Sequence, residues 1–145
     1  MKNPNMSAQE RQAFLAEPRV GVFAVNEAGS GACAVPVWYD YTPSGPVRIT
    51  ASPSSRKVRL LREFSRASLC VQRESLPSAY VTVEGPVEIL ETDVTALQRE
   101  IAERYLGPKL AARYLENFAA GLGQEVLLIL QPERWWSVDF SKVAM

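Results

Sequence analysis

Short strand-length segments, most of them separated by brief turns, constrain the fold of this chain more than any other feature of its sequence. Strands are predicted at 19–25, 32–40, 47–51, 67–72, 79–90 and 125–131, with a final extended segment at 134–140. Strands joined by short turns pair as antiparallel neighbours, whereas a doubly wound parallel sheet needs a longer crossover, usually a helix, between its strands. The sequence therefore predicts a mainly β, α+β fold in which six strands form a small barrel.

Helices are predicted in the connections between these strands. Ser7 and Glu10 have the spacing of a capping box and begin a short helix that ends before Pro18. Apolar residues at helical spacing predict further helices over 55–64, 92–105 and 109–120, the last followed by Gly121 and Gly123. These helices are expected to pack on the barrel.

Two prolines within predicted strands limit how those strands can pair. Pro36 has no N–H group to donate, so it is expected at a sheet edge or a bulge. Pro86 follows Gly85, and this pair predicts a β-bulge within the strand 79–90. Both positions are expected to interrupt regular pairing.

The composition restricts the chemistry that the chain can perform on its own. The 145 residues suit a single domain over 1–145, and 16 basic and 16 acidic side chains give a formal net charge of zero. This balance argues against a nucleic-acid-binding barrel, since affinity for a phosphate backbone comes from excess Lys and Arg. The chain has no histidine, which removes Ser-His and Cys-His nucleophiles and all histidine-ligated metal sites. We expect no metal, and chemistry that is supplied by a bound cofactor.

The sequence also indicates a compartment. The polar amino terminus has no basic stretch leading into an apolar one, and no apolar run approaches the roughly 18 residues of a membrane span. Cys33 and Cys70 lie in apolar runs without C-x-x-C spacing and are interpreted as reduced, packed thiols. We therefore expect a cytoplasmic protein with no membrane or nucleic-acid partner.

The segment 48–73 has seven basic residues and a single acidic one. Arg56 and Lys57 fall in the first turn of a predicted helix, where the helix dipole and the unpaired N–H groups already produce positive potential. Two cations are unfavourable there unless an anion binds. A phosphate could be bound by these N–H groups, by both cations and by the hydroxyls of Ser54 and Ser55. The pattern predicts a phosphate site, whereas three further arginines are interpreted as a solvated face: Arg59, Arg62 and Arg66.

Aromatic residues give a second indication of a ligand. Trp135 and Trp136 are adjacent, and in a strand they point to opposite faces, so one of them contacts something outside the core. A cofactor plane or a subunit interface would fit, and the alternative is a rim tryptophan half-covered by the terminal residues. Trp38 and Tyr39 also fit ordinary barrel packing.

Four segments are found in the order EPRVGVFAV, AVPVWYDY, ITASPSSRKVRLLREFSRASLCV and YVTVEGPVEIL. Together they resemble the pyridoxamine 5′-phosphate oxidase-like family of flavin-binding split-barrel proteins, over Glu17 to Leu90 or about half of the chain. The third segment is the most specific. The resemblance implies a six-stranded split β-barrel that forms a homodimer, with FMN or the deazaflavin coenzyme F-420 bound in a groove between the subunits.

The resemblance implies a phosphate-binding role for one stretch of residues. In the family, the Ser-Arg-Lys sequence after the third strand binds the cofactor phosphate, and it corresponds here to Ser55, Arg56 and Lys57. Thr50 and Ala51, at the end of the preceding strand, would lie along the phosphate and ribityl side. This assignment agrees with the helix-dipole argument.

The resemblance implies a further set of residues beside the flavin ring. The strand that contains Val35, Pro36, Val37 and Trp38 would run beside the isoalloxazine. Tyr80 matches a position that faces the flavin. The sequence does not distinguish FMN from the deazaflavin, although Arg59 and Arg62 could serve the polyglutamate tail of the latter.

The chain departs from the family at two places. Many relatives have a Gly-Arg-Pro-like turn followed by His or Gln before the second strand, where this chain reads GSGAC at 29–33. It also lacks the carboxy-terminal Arg and His segment of true pyridoxamine phosphate oxidases, so vitamin B6 oxidation is not expected. Haem degradation in related split barrels depends on a histidine ligand that this chain does not have.

The resemblance implies a homodimeric flavin- or deazaflavin-dependent oxidoreductase that acts on a small organic molecule by hydride transfer. The cofactor would provide the chemistry while the protein provides orientation, a dry pocket and an anchor for the phosphate. No catalytic side chain is assigned, although three tyrosines are conceivable proton donors: Tyr39, Tyr41 and Tyr80. The alternative is a non-catalytic flavin-binding or carrier module of the same fold, which needs the same phosphate contacts.

Overall fold

Strands and helices alternate along the part of the chain that this computed structural model describes, residues 2–118 and 124–143. Its strands are β1 (Gly21–Val25), β2 (Cys33–Val37), β3 (Asp40–Tyr41), β4 (Val47–Ala51), β5 (Arg66–Gln72), β6 (Ala79–Leu90), β7 (Val126–Leu130) and β8 (Arg134–Asp139). Its α-helices are α1 (Ala8–Ala16), α2 (Arg56–Phe64) and α3 (Thr95–Asn117), and a 3-10 turn covers Phe140–Lys142. No helix within these ranges is long and apolar enough to cross a membrane.

The strands form one curled antiparallel sheet in the order β2-β1-β5-β6-β7-β4-β3, with β8 paired to β6. The 12-residue strand β6 belongs to both halves: its first part pairs with β5 and β8, and its second part pairs with β7. The predicted α+β split barrel is confirmed. The described ranges contain eight strands instead of six, because 32–40 divides into β2 and β3 and because β8 is a paired strand.

The two prolines behave differently from each other. Pro36 lies in β2, the last strand at one end of the sheet, so the predicted edge position is confirmed. The predicted bulge at Gly85 and Pro86 is wrong, because β6 pairs residue for residue with β5 as far as Pro86. The extra residue lies instead in the connection between β7 and β8. Three residues of this connection, 131–133, face two residues of β6, Gly85 and Pro86.

The core fills the inside of the curled sheet. Phe23, Leu69 and Leu128 point inward from three strands and are at most 1% exposed. α2 buries Val58 and Leu61 against this core. Because apolar residues alternate along the strands while α2 presents them at helical spacing, both element types place them on one face.

α1 packs against the core beside β3 and β6. The predicted capping box is confirmed, since the Ser7 hydroxyl accepts from the N–H of Glu10 at 3.1 Å and the Glu10 carboxylate accepts from the N–H of Ser7 at 2.9 Å. Phe14 and Leu15 are the buried residues of this helix. The helix ends at Ala16, as expected from Pro18.

α3 includes both of the helices predicted over 92–105 and 109–120. Gly107 has φ 79° and divides α3 at the expected Gly107-Pro108 step. Leu97 and Ile101 are buried before this kink, and Ala111 and Leu115 after it. The predicted end of the second helix at Ala120, and the glycines after it, lie outside the described residues.

The two cysteines are free thiols in different surroundings. Cys33 is buried, as predicted. Cys70 is exposed, so its prediction as a packed thiol is wrong. It alternates along β5 with the inward-facing Leu69 and Val71 and therefore points out of the barrel.

Candidate functional site

A cavity of about 1050 Å³ lies between the barrel and α3. This volume is at the upper end of the range for small-molecule and cofactor sites. It is lined by five of the residues that the sequence comparison implied for a flavin site: Pro36, Val37, Trp38, Thr50 and Lys57. Residues that were predicted from two separate segments of the sequence, AVPVWYDY and ITASPSSRKVRLLREFSRASLCV, therefore share one cavity.

One end of the cavity is the amino terminus of α2. Ser55 is the N-cap residue, but its side chain makes no capping hydrogen bond and donates instead to the carbonyl of Ser52 at 2.8 Å. The first turn of α2 has no acidic residue. Ser52, Ser54 and Lys57 line the cavity beside this uncapped helix end. Backbone N–H groups, hydroxyls and a cation together are suited to an anion.

Arg56 and Lys57 differ in their contacts. Arg56 forms an ion pair with Glu27 in the turn between β1 and β2, and Ser30 also donates to Glu27 at 3.1 Å. The Arg56 guanidinium, with help from the Ser30 hydroxyl, holds the pKa of Glu27 below its ordinary value. Lys57 has no ion pair within the described part of the chain and lines the cavity. Lys57 is therefore the cation available to an anion there.

Acidic residues outside the basic segment neutralise four of its seven cations. Arg48 pairs with Asp40 at 2.5 Å, and Arg73 pairs with Asp139 at 3.0 Å. Arg66, predicted on a helical face with Arg59 and Arg62, instead begins β5 and forms ion pairs with two glutamates: Glu84 at 2.7 Å and Glu133 at 3.0 Å. Three cations of the segment have no ion pair among the described residues: Lys57, Arg59 and Arg62.

A carboxylate that the sequence analysis missed also lines the cavity. Glu125 lies immediately before β7, and its Oε1 accepts from the Thr50 hydroxyl at 2.9 Å and from the Gln98 amide at 2.7 Å. The only signal in the sequence is a charged residue directly before the apolar run VLLIL. The Thr50 hydroxyl, expected along the phosphate and ribityl side, is thus used to orient Glu125.

Aromatic rings form a second wall of the cavity. The Trp38 ring stacks on Tyr105 with centroids 5.0 Å apart and an interplanar angle of 8°. Tyr114 contacts the other rings, with centroids 5.5 Å from Trp38 and 4.8 Å from Phe118. Tyr105 supports this wall, because its hydroxyl donates to the carbonyl of Arg19 at 2.7 Å. Burial raises the pKa of the Tyr105 hydroxyl.

The other implied residues lie outside the cavity lining. Val35 packs against the core opposite Phe23, and Ala51 is buried in the core. Ser55 caps α2 by position, and Arg56 is paired with Glu27 as described above. Tyr80 is exposed on the outer face of β6. The cofactor contacts implied for these five residues stay predictions.

Two of the three conceivable proton donors are buried structural tyrosines. Tyr39 is fully buried, and its hydroxyl donates to the carbonyl of Leu15 at 2.7 Å. Burial raises the pKa of Tyr39 and, to a smaller extent, that of Tyr41. Neither side chain lines the cavity.

The adjacent tryptophans of β8 lie on opposite faces, as predicted. Trp135 packs against the core, with the Arg11 guanidinium 4.7 Å from its ring centroid. Trp136 points outward and is 52% exposed. It ends a row of outward-facing side chains that crosses five paired strands: Pro36, Val22, Cys70, Thr82 and Trp136.

The curled sheet, with a cavity between it and α3, defines a split-barrel class of fold, and the comparisons agree. The family model for pyridoxamine 5′-phosphate oxidase, PNPOx_N, matches residues 7–139. The chain belongs to this family. No curated protein matches the chain in sequence.

Solved structures share the fold over nearly the whole chain. A conserved hypothetical protein from Mycobacterium tuberculosis has a TM-score of 0.77 at 21% identity, covering 100% of this chain and 93% of its own. A protein named F420 reductase has a TM-score of 0.69 at 18% identity, and the match covers 86% of this chain and 94% of that protein. An FAD-binding protein from Mesorhizobium loti has a TM-score of 0.66 at 23% identity, and the match covers 92% of this chain and 94% of that protein.

Proposed function

We propose that this protein is a flavin- or deazaflavin-dependent oxidoreductase that acts on a small organic molecule by hydride transfer. The observation that supports this most is the uncapped amino terminus of α2, which opens beside Lys57 into a cavity of about 1050 Å³. Such a helix end is suited to the phosphate of a cofactor. The cytoplasm remains the expected compartment.

The residues present fit a phosphate attached to a flat ring system. Ser52, Ser54 and Lys57 would hold the phosphate, and Pro36 and Trp38 would lie along the ring. The bound cofactor supplies a hydride donor or acceptor, which the side chains of this protein do not. The protein would orient the ring and exclude water from it.

Both FMN and coenzyme F-420 are retained as candidates. Each presents a phosphate and a tricyclic plane, so the cavity features above do not separate them. The named relatives, an F420 reductase and an FAD-binding protein, support a flavin-type cofactor. Arg59 and Arg62 lie exposed on α2 and could attract the anionic tail of F-420.

A homodimer is part of this proposal. The outward row described above has no charged side chain, and two of its members, Val22 and Trp136, are 46% and 52% exposed. A two-fold contact places the same surface on both subunits, so an uncharged row can face its own copy without like-charge repulsion. Pro36 belongs to this row and also lines the cavity. A second subunit would therefore extend the cavity wall.

Reduction and reoxidation of the loaded protein test this proposal. The protein is loaded with FMN or F-420, the cofactor is reduced anaerobically, and its absorbance is followed while quinones, nitroaromatics and enones are added. We expect at least one acceptor to reoxidise the bound cofactor faster than it reoxidises free cofactor at equal concentration. We also expect the rate to saturate as the concentration of this acceptor rises. Tight binding with inertness toward every acceptor would favour the carrier module, and failure to bind either cofactor would contradict both functions.

A further inference from the structure

Three separate elements fix the Glu125 carboxylate in the cavity. Thr50 comes from β4, Gln98 from α3, and Glu125 itself lies before β7. Both donors bind Oε1, at 2.9 and 2.7 Å, and Oε2 accepts no hydrogen bond from the described residues. One oxygen therefore orients the group while the other remains available to a ligand.

No cation of the described chain neutralises this carboxylate. Lys57 is the other charged side chain among the described residues that line the cavity, and it forms no ion pair with Glu125. A carboxylate that is half removed from water and lacks a cationic partner gains from a positively charged ligand. The position of Glu125 thus favours positive charge at its side of the cavity.

The aromatic wall favours the same kind of ligand. Tyr114 and Phe118 line the cavity and are 40% and 57% exposed, and Trp38 is held in place by its stack on Tyr105. Aromatic faces attract cations as well as flat apolar surfaces. A ring with a positive charge satisfies both the wall and Glu125.

We propose that Glu125 is a specificity-determining residue that selects flat organic cations, namely aromatic or heteroaromatic molecules with a protonated amine, as ligands of this cavity. That these ligands are also substrates rests on the function proposed above. Glu125 would accept the ammonium N–H at Oε2, and Tyr114 and Phe118 would contact the ring of the ligand. Lys57 would serve the anionic groups of a ligand.

A matched series of probes on one ring tests this selectivity in the protein without added cofactor. The probes are 2-naphthylmethylamine, 2-naphthylmethanol and 2-naphthoate, and their dissociation constants are measured by calorimetry at pH 7. In the wild type we expect the amine to bind more tightly than the alcohol. In Glu125→Gln we expect the amine to lose about tenfold in affinity, which is about 1.4 kcal/mol, while the alcohol changes little.

Two further variants control for charge and for folding. Glu103→Gln removes the same charge from an exposed position of α3 that does not line the cavity, and it should leave all three affinities unchanged. Lys57→Met should weaken the naphthoate and leave the amine unchanged or tighter. Thr50→Val removes one donor to Glu125 and gives a smaller loss of amine affinity, which addresses the case in which Glu125→Gln does not fold.

The outcomes separate this inference from the proposed function. Equal affinity of the wild type for the amine and the alcohol, or an unchanged amine affinity in Glu125→Gln, would overturn the role of Glu125. Failure of FMN and F-420 to bind, with the amine preference intact, would overturn the proposed function and leave the cation site standing.

Discussion

Glu27 and Arg56 form an ion pair that joins the turn between β1 and β2 to the first turn of α2. The Glu27 carboxylate therefore already occupies the guanidinium that the sequence assigns to a phosphate. Lys57, the next residue along, has no such partner among the described residues and lines the cavity. A phosphate bound at this helix end would therefore be contacted mainly by Lys57, and we expect Glu27 to limit the contribution of Arg56.

Replacing Glu27 by Gln should increase affinity for phosphate-bearing cofactors. The pair is at the surface, where such bridges contribute little because solvent screens them, so the expected gain for FMN is small, at most about fivefold. Riboflavin, which has no phosphate, should bind as before. The measurement is a fluorescence titration of both flavins into wild type and variant.

The control for this prediction is Glu74→Gln, which removes the same charge from an exposed loop residue. It should change neither affinity. An equal gain for riboflavin, or an equal gain in the control, would contradict a specific competition between Glu27 and the phosphate.

Gly85 should be intolerant of any side chain. A Cβ atom there would lie 1.8 Å from the carbonyl oxygen of Gln131, where the β7–β8 connection runs beside β6. Gly85→Ala must push this backbone away, and we expect a loss of about 1–3 kcal/mol in the free energy of unfolding, measured in urea. Gly31→Ala is the matched control, because its Cβ would meet nothing within 4 Å. Equal stability of the two variants would contradict this close approach of Gln131 to Gly85.

The Glu10 carboxylate should make folding stability depend on acid pH. Its pKa is lowered from 4.5 to about 2, chiefly by the hydrogen bond from the Lys142 ammonium and then by the N–H of Ser7. A lowered carboxylate pKa gives stability that is fully present above the unfolded value and is lost as the pH falls toward the folded value. The stability difference between wild type and Glu10→Gln should therefore be constant above pH 4.5 and shrink toward pH 2. Urea unfolding at several pH values measures it, and a difference that does not vary with pH would contradict the assignment.

The outward row that ends at Trp136 predicts how the proposed dimer can be dissociated. In Val22→Lys, the new ammonium group would face, or lie close to, the same group of the second subunit across a two-fold contact. Repulsion between these two charges should produce monomers. Sedimentation of the wild type should give a dimer, and Val22→Lys or Trp136→Lys should give monomers with unchanged circular dichroism. Leu76→Lys, on an exposed loop away from this row, should remain dimeric. A monomeric wild type would contradict the proposed dimer itself.

The sequence predicts the framework because strand and helix signals are local. The bounds of β4 and β6 agree with the predicted segments to the residue, since alternation and flanking turn residues mark both ends. α2 begins at Arg56, one residue after its predicted start at Ser55. The extra residue opposite Gly85 was misplaced because it belongs to a connection 46 residues further along the chain.

The candidate site is only partly predictable, because its electrostatics depend on distant residues. The sequence shows where the basic residues lie, but the acidic residues that neutralise them, such as Glu27 and Asp139, come from both sides of the segment in the sequence. Glu125 was missed because its meaning depends on hydrogen bonds from β4 and α3. The local sequence pattern predicts that Lys57 lies at the start of a helix. Only the packing of the chain determines that Lys57 lines the cavity and that Arg56 does not.

The most direct test of the central claim is the affinity of wild type and Lys57→Met for FMN and riboflavin. We expect the wild type to prefer FMN, and Lys57→Met to weaken FMN by about tenfold to a hundredfold, as for a hydrogen bond between charged groups, without affecting riboflavin. Lys109→Met, on the exposed side of α3, should match the wild type. Equal affinity of the wild type for FMN and riboflavin, or an unchanged FMN affinity in Lys57→Met, would contradict a phosphate site at the amino terminus of α2.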